Sequence, residues 1–407
     1  MKLLVLLSRF PYPLDKGDKL RAFYQLRELA HRHTICLLAL TDEDVPAASH
    51  AQVASFCAGG IHVHRLRRPN IARGLAIALA TALPLQIGYF QDAAAQRLLT
   101  QLLHTFRPDH VYCQLIRMAE YLRPHYQQWP CTLDYMDVFS AGVARRAARA
   151  PRWQRSVLQL EAQRLRRYEA LVFDWFRAHS IISDQDRQLI DHPQRQQIRV
   201  VLNGIDTTYF QPTEAPKEYE LLFCGNMAYP PNIDAAVFLA EEILPFVRQQ
   251  HPHARLLIAG TTPTARVQAL ATEGVTISGW LPDIRTAYAG ARVFVAPMRT
   301  GTGLQNKLLE AMAMRLPCVT TTLANAALRG TPDEQVLIGD TAIALATHII
   351  KLLSYPEEAA TLAEQGLWFV STHYNWSAST TRLEEIMHLH TAADVVTSPA
   401  DSPAPTP

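Results

Sequence analysis

The stretch Ala296-Pro297-Met298-Arg299-Thr300-Gly301-Thr302-Gly303-Leu304-Gln305-Asn306-Lys307-Leu308-Leu309-Glu310 combines residue types suited to anion chemistry. It leaves a predicted strand, passes two glycines and enters a predicted helix. Glycines there let backbone N–H groups approach an anion, and a helix N-terminus adds partial positive charge. Arg299 and Lys307 supply formal charge on either side of the turn, and the amides near Gly303 and Leu304 are further donors. Glu310, within the first turn or so of the helix, is placed to accept hydrogen bonds from a ribose diol, as the acidic residue does in dinucleotide folds. The set suits a diphosphate joined to a ribose. An ordinary βα turn with a solvated lysine and a dipole-stabilising glutamate is the competing reading.

The elements that must carry this loop follow from the pattern of apolar runs. Leu3 to Leu7 is a short continuous apolar run, the mark of a strand covered on both faces. Further strands are predicted at Thr34–Leu40, Ile61–Leu66, Asp109–Cys113, Thr132–Tyr135 and Ser180–Ser183, with helices at Lys19–His31 and Trp153–Phe176. The pattern restarts after a polar, Pro-containing linker at 213–218. Strands then fall at Tyr219–Cys224, Arg255–Ala259, Val275–Ser278, Val293–Ala296 and Cys318–Thr321, with helices at Asp234–Gln250 and Asn306–Met314. This alternation predicts two α/β, doubly wound, parallel-sheet halves with a ligand cleft beyond the strand ends. The boundaries expected are 1–212, 213–372 and a closing helical segment at 373–391. The Pro-, Ser- and Ala-rich stretch 392–407 has the composition of a disordered tail.

Composition narrows the classes. The chain has 407 residues, 48% hydrophobic and 19% charged, and a formal charge of +2, too balanced for wholesale nucleic-acid binding. Only six basic residues are lysines, which makes Lys16, Lys19 and Lys307 informative against an arginine-rich background. Six cysteines without a CxxC pair argue for a reducing compartment and against a zinc ribbon. His62 and His64 alternate on one predicted strand without a third ligand, so no metal site is expected. No run approaches the roughly 20 apolar residues of a membrane helix. A cytoplasmic protein is expected. The arginines between Arg145 and Arg167, with Trp153 and the apolar Ile71–Leu83, suit either an anionic membrane surface or a solvated helix face.

Several segments together resemble the retaining glycosyltransferases of family 4, which have the GT-B fold of two Rossmann-like domains facing across a cleft. Val200-Val201-Leu202-Asn203-Gly204-Ile205-Asp206-Thr207-Thr208-Tyr209-Phe210 resembles the NG(V/I)DxxxF segment that leads into the second domain. Phe223-Cys224-Gly225-Asn226-Met227 with Pro231-Asn232-Ile233-Asp234 resembles the first strand and loop of the donor domain, which marks Gly225 and Asn226 as donor contacts. Gly279-Trp280-Leu281-Pro282-Asp283-Ile284 resembles the loop that meets the nucleobase, which marks Leu281. The GxQNKxLEAMA stretch is most similar to the exosortase/PEP-CTERM-associated sugar transferases. The likeness spans roughly residues 1–390. It departs at Thr302, which stands where the common signature has the first of two acidic residues seven apart, near the donor sugar.

The resemblance implies transfer of a sugar from a nucleotide-diphosphate donor to an acceptor hydroxyl, with retention, hexosyl type and no metal or other cofactor. Its setting would be exopolysaccharide or other surface-glycan assembly, on a glycan or lipid-linked acceptor, with peripheral contact to the inner membrane. Arg299, Lys307 and the helix N-terminus would stabilise the leaving diphosphate. The loop Pro11 to Arg21 resembles the glycine loop after the first strand, with Gly17 for close approach and Lys16 or Lys19 to screen phosphate. A polar surface turn is its competing reading. It is not GxGxxG, which disfavours a nicotinamide oxidoreductase. Leu133 to Ser140 resembles a DxxD stretch in which Asp137 meets acceptor hydroxyls; a helix N-cap is the alternative. The loop Cys113 to Met118 has no histidine, so no catalytic histidine carries over. A sugar-nucleotide epimerase and an inactive nucleotide-binding scaffold remain as rival readings.

Overall fold

The computed structural model describes residues 1–301 and 303–388, the side chain of Arg149 excepted. It divides into two compact units: Met1–Leu202 with the chain from Trp376 onward, and Asn203–Asn375.

Unit 1 is built on a parallel sheet of seven strands: β1 (Lys2–Leu7), β2 (Thr34–Thr41), β3 (Ile61–Arg65), β4 (His110–Gln114), β5 (Cys131–Asp134), β6 (Ala178–Ile181) and β7 (Arg199–Val200). Their order is β3-β2-β1-β4-β5-β6-β7. β1 is apolar throughout because both its faces are covered. Leu4 and Leu6 enter one core with Leu99, Leu103, Leu165 and Val172; Leu3, Val5 and Leu7 enter the other with Phe23, Leu26, Trp376 and Leu383. The closing helix Trp376–His388 belongs to this unit, its Trp376 ring stacked on Tyr24 at 5.1 Å. Sheet order reverses between β1 and β4, so the loops after these strands diverge and open a crevice at their carboxyl ends.

Unit 2 has six parallel strands: β8 (Tyr219–Cys224), β9 (Leu256–Ala259), β10 (Val275–Gly279), β11 (Ala291–Ala296), β12 (Cys318–Thr320) and β13 (Leu337–Ile338). Their order is β10-β9-β8-β11-β12-β13, with the reversal between β8 and β11. The loops after these two strands carry Gly225-Asn226 and the Arg299–Gln305 turn.

Two details depart from the sequence reading. The helix expected across 234–250 is Pro230–Val237, a wide i→i+5 turn at Phe238–Ile243, and Leu244–Arg248. Pro245 supplies the reason, since it has no N–H for the ladder and its ring crowds the preceding turn. The division between units falls at Leu202, ahead of the polar linker. Asn203 onward packs with unit 2: Ile205 N donates to Tyr374 O at 2.7 Å, and the Arg285 guanidinium lies 4.1 Å from the Tyr209 ring centroid.

Candidate functional site

The carboxyl end of β8 and β11 gathers most of the residues singled out in the second half. Gly225 follows β8 at φ +154, and a Cβ there would lie 2.7 Å from Asn232 Nδ2 and 3.4 Å from Lys307 Cε. Glycine is therefore required by the close packing of these two side chains. Asn232 is buried; its Nδ2 donates to Asn226 O at 2.9 Å, and its Oδ1 accepts from Lys307 Nζ at 2.6 Å. Asn226 in turn caps its own turn, Oδ1 accepting from Ala228 N at 2.9 Å.

Lys307 stands at the second position of the Asn306–Ala313 helix. Its ammonium also reaches Gln305 Oε1 at 3.4 Å and lies 5.1 Å from the Phe223 ring centroid, yet no carboxylate among the described residues pairs with it. Burial pushes its pKa down to about 8, against the opposing pull of Cys224 and Glu310. Glu310, one turn along, accepts from the Tyr288 hydroxyl at 2.7 Å through Oε2, which leaves Oε1 for another donor. Burial raises the Glu310 pKa above the ordinary carboxylate value, while Tyr288 and Lys307 hold it back. Tyr288 is buried, and its hydroxyl lies 2.8 Å from Cys224 Sγ.

The turn itself holds Gly301 at φ +97 and Gly303 at φ +84. The N–H groups of Gly303 and Leu304 have no hydrogen-bond partner among the described residues, and neither do the buried Thr300 Oγ1 and Asn306 Oδ1. No side chain caps the helix that follows. The two amides and the Thr300 hydroxyl are unmatched donors beside a half-buried ammonium, an arrangement suited to an oxyanion, whereas Asn306 Oδ1 can only accept. Thr302 lies outside the described residues.

Arg299 takes a different place from the one expected. Its guanidinium pairs with Asp234 at 3.0 Å and Glu242 at 3.3 Å and stacks on Phe238, 4.0 Å from the ring centroid. With its charge engaged by two carboxylates, it secures the root of the turn to the preceding helix. Leu281 follows Gly279, which ends β10 at φ +67. It is half-buried and lines a cavity of about 550 Å³ with Tyr219, Leu257, Thr276 and Arg285.

The first-half residues lie at the carboxyl end of the unit 1 sheet. Asp134 is fully buried and saturated: it pairs with Arg21 at 2.6 Å and accepts from Tyr112 and Ser180 hydroxyls, both at 2.9 Å. Asp137, three residues on, is exposed. The protein packed about it, then the charges of Asp186, Asp18 and Asp134, push its pKa up to about 6. It caps no helix; that of Phe139–Arg149 has Val138 at its N-cap, and the buried Glu169 carboxylate accepts from Ser140 N at 3.0 Å. Lys16 is the exposed N-cap of the Gly17–Leu29 helix. A Cβ on Gly17 would meet nothing within 4 Å, so this backbone does not itself demand glycine there. Lys19 is tied to Asp15 at 2.9 Å.

Two contributors to the cluster around Lys307 and Glu310 carry no sign of their role in the sequence. Asn232 sat inside a quoted motif but had no assigned role, and Tyr288 carried no local signal at all. For metal binding, His33, Glu384 and His388 bring ligand atoms within 4.8 Å of one another. His33 Nε2 is already hydrogen-bonded to Glu384 at 2.7 Å, and Arg32 pairs with the same carboxylate. That group is an ionic clasp for the closing helix.

Two Rossmann-like α/β domains, each with its reversal point and loops at the strand ends, define the GT-B fold of glycosyltransferases. Residues 218–355 match the family described as glycosyl transferases group 1. Over 400 residues the chain is 22% identical to an uncharacterized 44.6 kDa protein in the cps region of Klebsiella pneumoniae, covering 92% of this chain and 96% of that one. Among solved structures, sucrose-phosphate synthase from Thermosynechococcus elongatus aligns with TM-score 0.69 and 15% identity, covering 96% of this chain and 99% of the other. Anabaena Alr3699/HepE in complex with UDP aligns with TM-score 0.67 and 14% identity, over 96% and 100%. WaaG, a glycosyltransferase involved in lipopolysaccharide biosynthesis, aligns with TM-score 0.63 and 15% identity, over 94% and 99%.

Proposed function

We propose that the chain is a glycosyltransferase that moves a hexosyl group from a nucleotide-diphosphate-sugar to an acceptor hydroxyl, with retention at the anomeric carbon. The observation that carries this reading is the half-buried Lys307 ammonium, without a carboxylate partner, beside the unmatched amides of Gly303 and Leu304 in the stretch that matches glycosyl transferases group 1. As the bond to the leaving diphosphate breaks, negative charge grows on its oxygens. Lys307 turns from Asn232 to meet it, and the amides and helix terminus add fixed dipoles. These groups supply the charge that a metal ion supplies in other transferases. Glu310 receives a ribose hydroxyl on Oε1 while Tyr288 fixes Oε2. Arg299 holds the turn in shape, and Leu281 sits beside the base.

The donor nucleotide is taken as uridine diphosphate, supported by the Alr3699/HepE structures with UDP and UDP-glucose. A role in surface-glycan assembly draws support from WaaG and from the cps-region relative. No described helix is long and apolar enough to cross a membrane. Peripheral contact is supported by unit 1, where Trp153 (77% exposed), Leu79 (68%) and Val157 (60%) accompany exposed Arg67, Arg68, Arg73, Arg146 and Arg152. Such a surface suits a lipid-linked acceptor at an anionic bilayer on the cytoplasmic face. Sedimentation with phosphatidylglycerol vesicles, lost in Trp153→Ala, is the expected result; equal recovery of the two proteins with the vesicles removes the membrane part.

Incubation with UDP-, GDP-, ADP- and TDP-sugars and a panel of glycan acceptors tests the reaction. The expected result is a glycosylated product from one donor, absent in Lys307→Ala and in Glu310→Ala at unchanged melting temperature. Full activity in either variant, or failure of all four nucleotides to bind folded protein, defeats the reading. A changed donor without any acceptor product would turn it into an epimerase.

A further inference from the structure

Charges near the carboxyl edge of the unit 1 sheet are mostly matched in pairs: Arg9 with Asp18 at 2.7 Å, Arg21 with Asp134 at 2.6 Å, Lys19 with Asp15 at 2.9 Å. Arg117, in the loop after β4, stands apart. It is half-buried, and no carboxylate among the described residues lies within ion-pair distance of it. Its guanidinium is wedged between two rings, 5.3 Å from the centroid of Phe90 and 4.5 Å from that of Phe139. One Nη2–H donates to Gln86 Oε1 at 3.0 Å. Nε is shielded from solvent and has no hydrogen-bond partner among the described residues.

A guanidinium carries five donors, and taking its charge out of water without a counter-charge is costly. Burial, then the like charge of Arg9, pushes the Arg117 pKa down to about 10, against the pull of Asp18 and Asp137. The fold nevertheless keeps the group in place, its plane fixed by the flanking rings and its tilt by Gln86. The neighbouring strand ends are also strained. Leu115, two residues before Arg117, has φ 68 and ψ 143, and Met136, just past β5, has φ 57. Non-glycine residues adopt such angles at a cost, and retained strain of this kind concentrates where ligands are clamped. Ligands of open parallel sheets bind beyond the carboxyl ends of the strands, where this loop lies.

We propose that Arg117 anchors an oxyanion site on unit 1 that receives an acidic group of the acceptor, a phosphate or a carboxylate. The term acceptor rests on the transfer reading given above; the anion site itself does not. A guanidinium fork held in a fixed plane matches two oxygens of either group. Asp137, exposed on the adjacent loop, is left to meet hydroxyls rather than the anion. The acceptor is then an acidic sugar or a sugar phosphate, and a neutral glycan is a poor substitute.

Calorimetry on the full chain saturated with UDP tests this, with glucose 6-phosphate, glucuronate and glucose as probes. The expected result is that one of the two acidic sugars binds at least tenfold more tightly than glucose, and which of them does so identifies the group. Arg117→Gln and Arg117→Met should erase that preference while leaving UDP affinity unchanged. Arg117→Met should also melt no lower than the parent, because the unpaired charge is gone; a purely structural arginine would show a lower melting temperature. No acidic sugar bound more tightly than glucose, or a preference that survives in Arg117→Gln, overturns the proposal. If UDP itself fails to bind, the transfer reading falls instead.

Discussion

Donor affinity should weaken as pH rises through the Lys307 titration, because free Lys307 loses its proton near pH 8 while the diphosphate-bound form keeps it. With a pKa of about 8, the ammonium is charged in roughly nine-tenths of free molecules at pH 7 and roughly one-tenth at pH 9. If only the charged form grips the diphosphate, the dissociation constant for UDP-glucose rises about tenfold over that interval, or about 1.4 kcal/mol. Binding above pH 8 should take up a proton, which calorimetry detects as a dependence on buffer ionisation heat. Lys307→Arg is the reference, since its guanidinium stays charged throughout and the ligand's own titration is common to both proteins. Equal pH slopes in the parent and Lys307→Arg would refute the placement of Lys307 on the diphosphate.

Three further outcomes are expected. Tyr288→Phe removes the 2.7 Å hydrogen bond to Glu310 and should raise the KM for the donor by about 5- to 30-fold, the worth of about 1–2 kcal/mol, with little change in kcat. An unchanged KM would mean that Glu310 needs no positioning. Asp134→Asn leaves Arg21 buried without its partner and should destabilise unit 1 by about 3–5 kcal/mol in urea unfolding; a loss under about 1 kcal/mol would contradict the pairing argument. Glu169 is buried with its pKa raised to about 7, so the folded chain holds that proton more tightly than the unfolded one. Its contribution is therefore present below the unfolded value near 4.5 and lost as pH rises through about 7. Melting of the parent should fall more steeply than that of Glu169→Gln between pH 5 and pH 8, and parallel curves would count against it.

The architecture was legible because parallel strands buried on both faces announce themselves as apolar runs. Tyr219–Cys224 is found where it was expected, and the other expected strands shift by only a residue or two, whereas the two-residue strands β7 and β13 are too short to show as apolar runs. The interruption at Phe238–Ile243 was not read, although Pro245 was in plain view, because the apolar period continues through it. At the site, Lys307 and Glu310 were visible as charges on a glycine-flanked helix start. Arg299 looked equivalent in sequence. What separates it from Lys307 is the identity of distant neighbours: Asp234 and Glu242 lie more than fifty positions away, and no local pattern reports their arrival. Tyr288 was invisible for the same reason, its meaning residing in a contact with a residue 22 positions on. The unit boundary moved from the linker's polar composition to Leu202 because Tyr209 and its neighbours pack as part of unit 2.

Cations at the sheet ends thus fall into two physical types. Arg21 and Arg299 meet carboxylates, so their charge is spent on holding elements together. Lys307 and Arg117 are half-buried against aromatic rings, are steered by the neutral amides of Asn232 and Gln86, and have their pKa pushed down by burial. A neutral amide orients a cation without neutralising it, and a ring shields it from water without competing for its donors. Such a group is poised at a cost in stability that an arriving anion repays. Each of these two lies beyond the carboxyl ends of its unit's strands, Lys307 in the first turn of the helix that follows β11 and Arg117 just after β4. On the two proposals made above, the same physical device serves a leaving diphosphate in unit 2 and an acidic acceptor in unit 1.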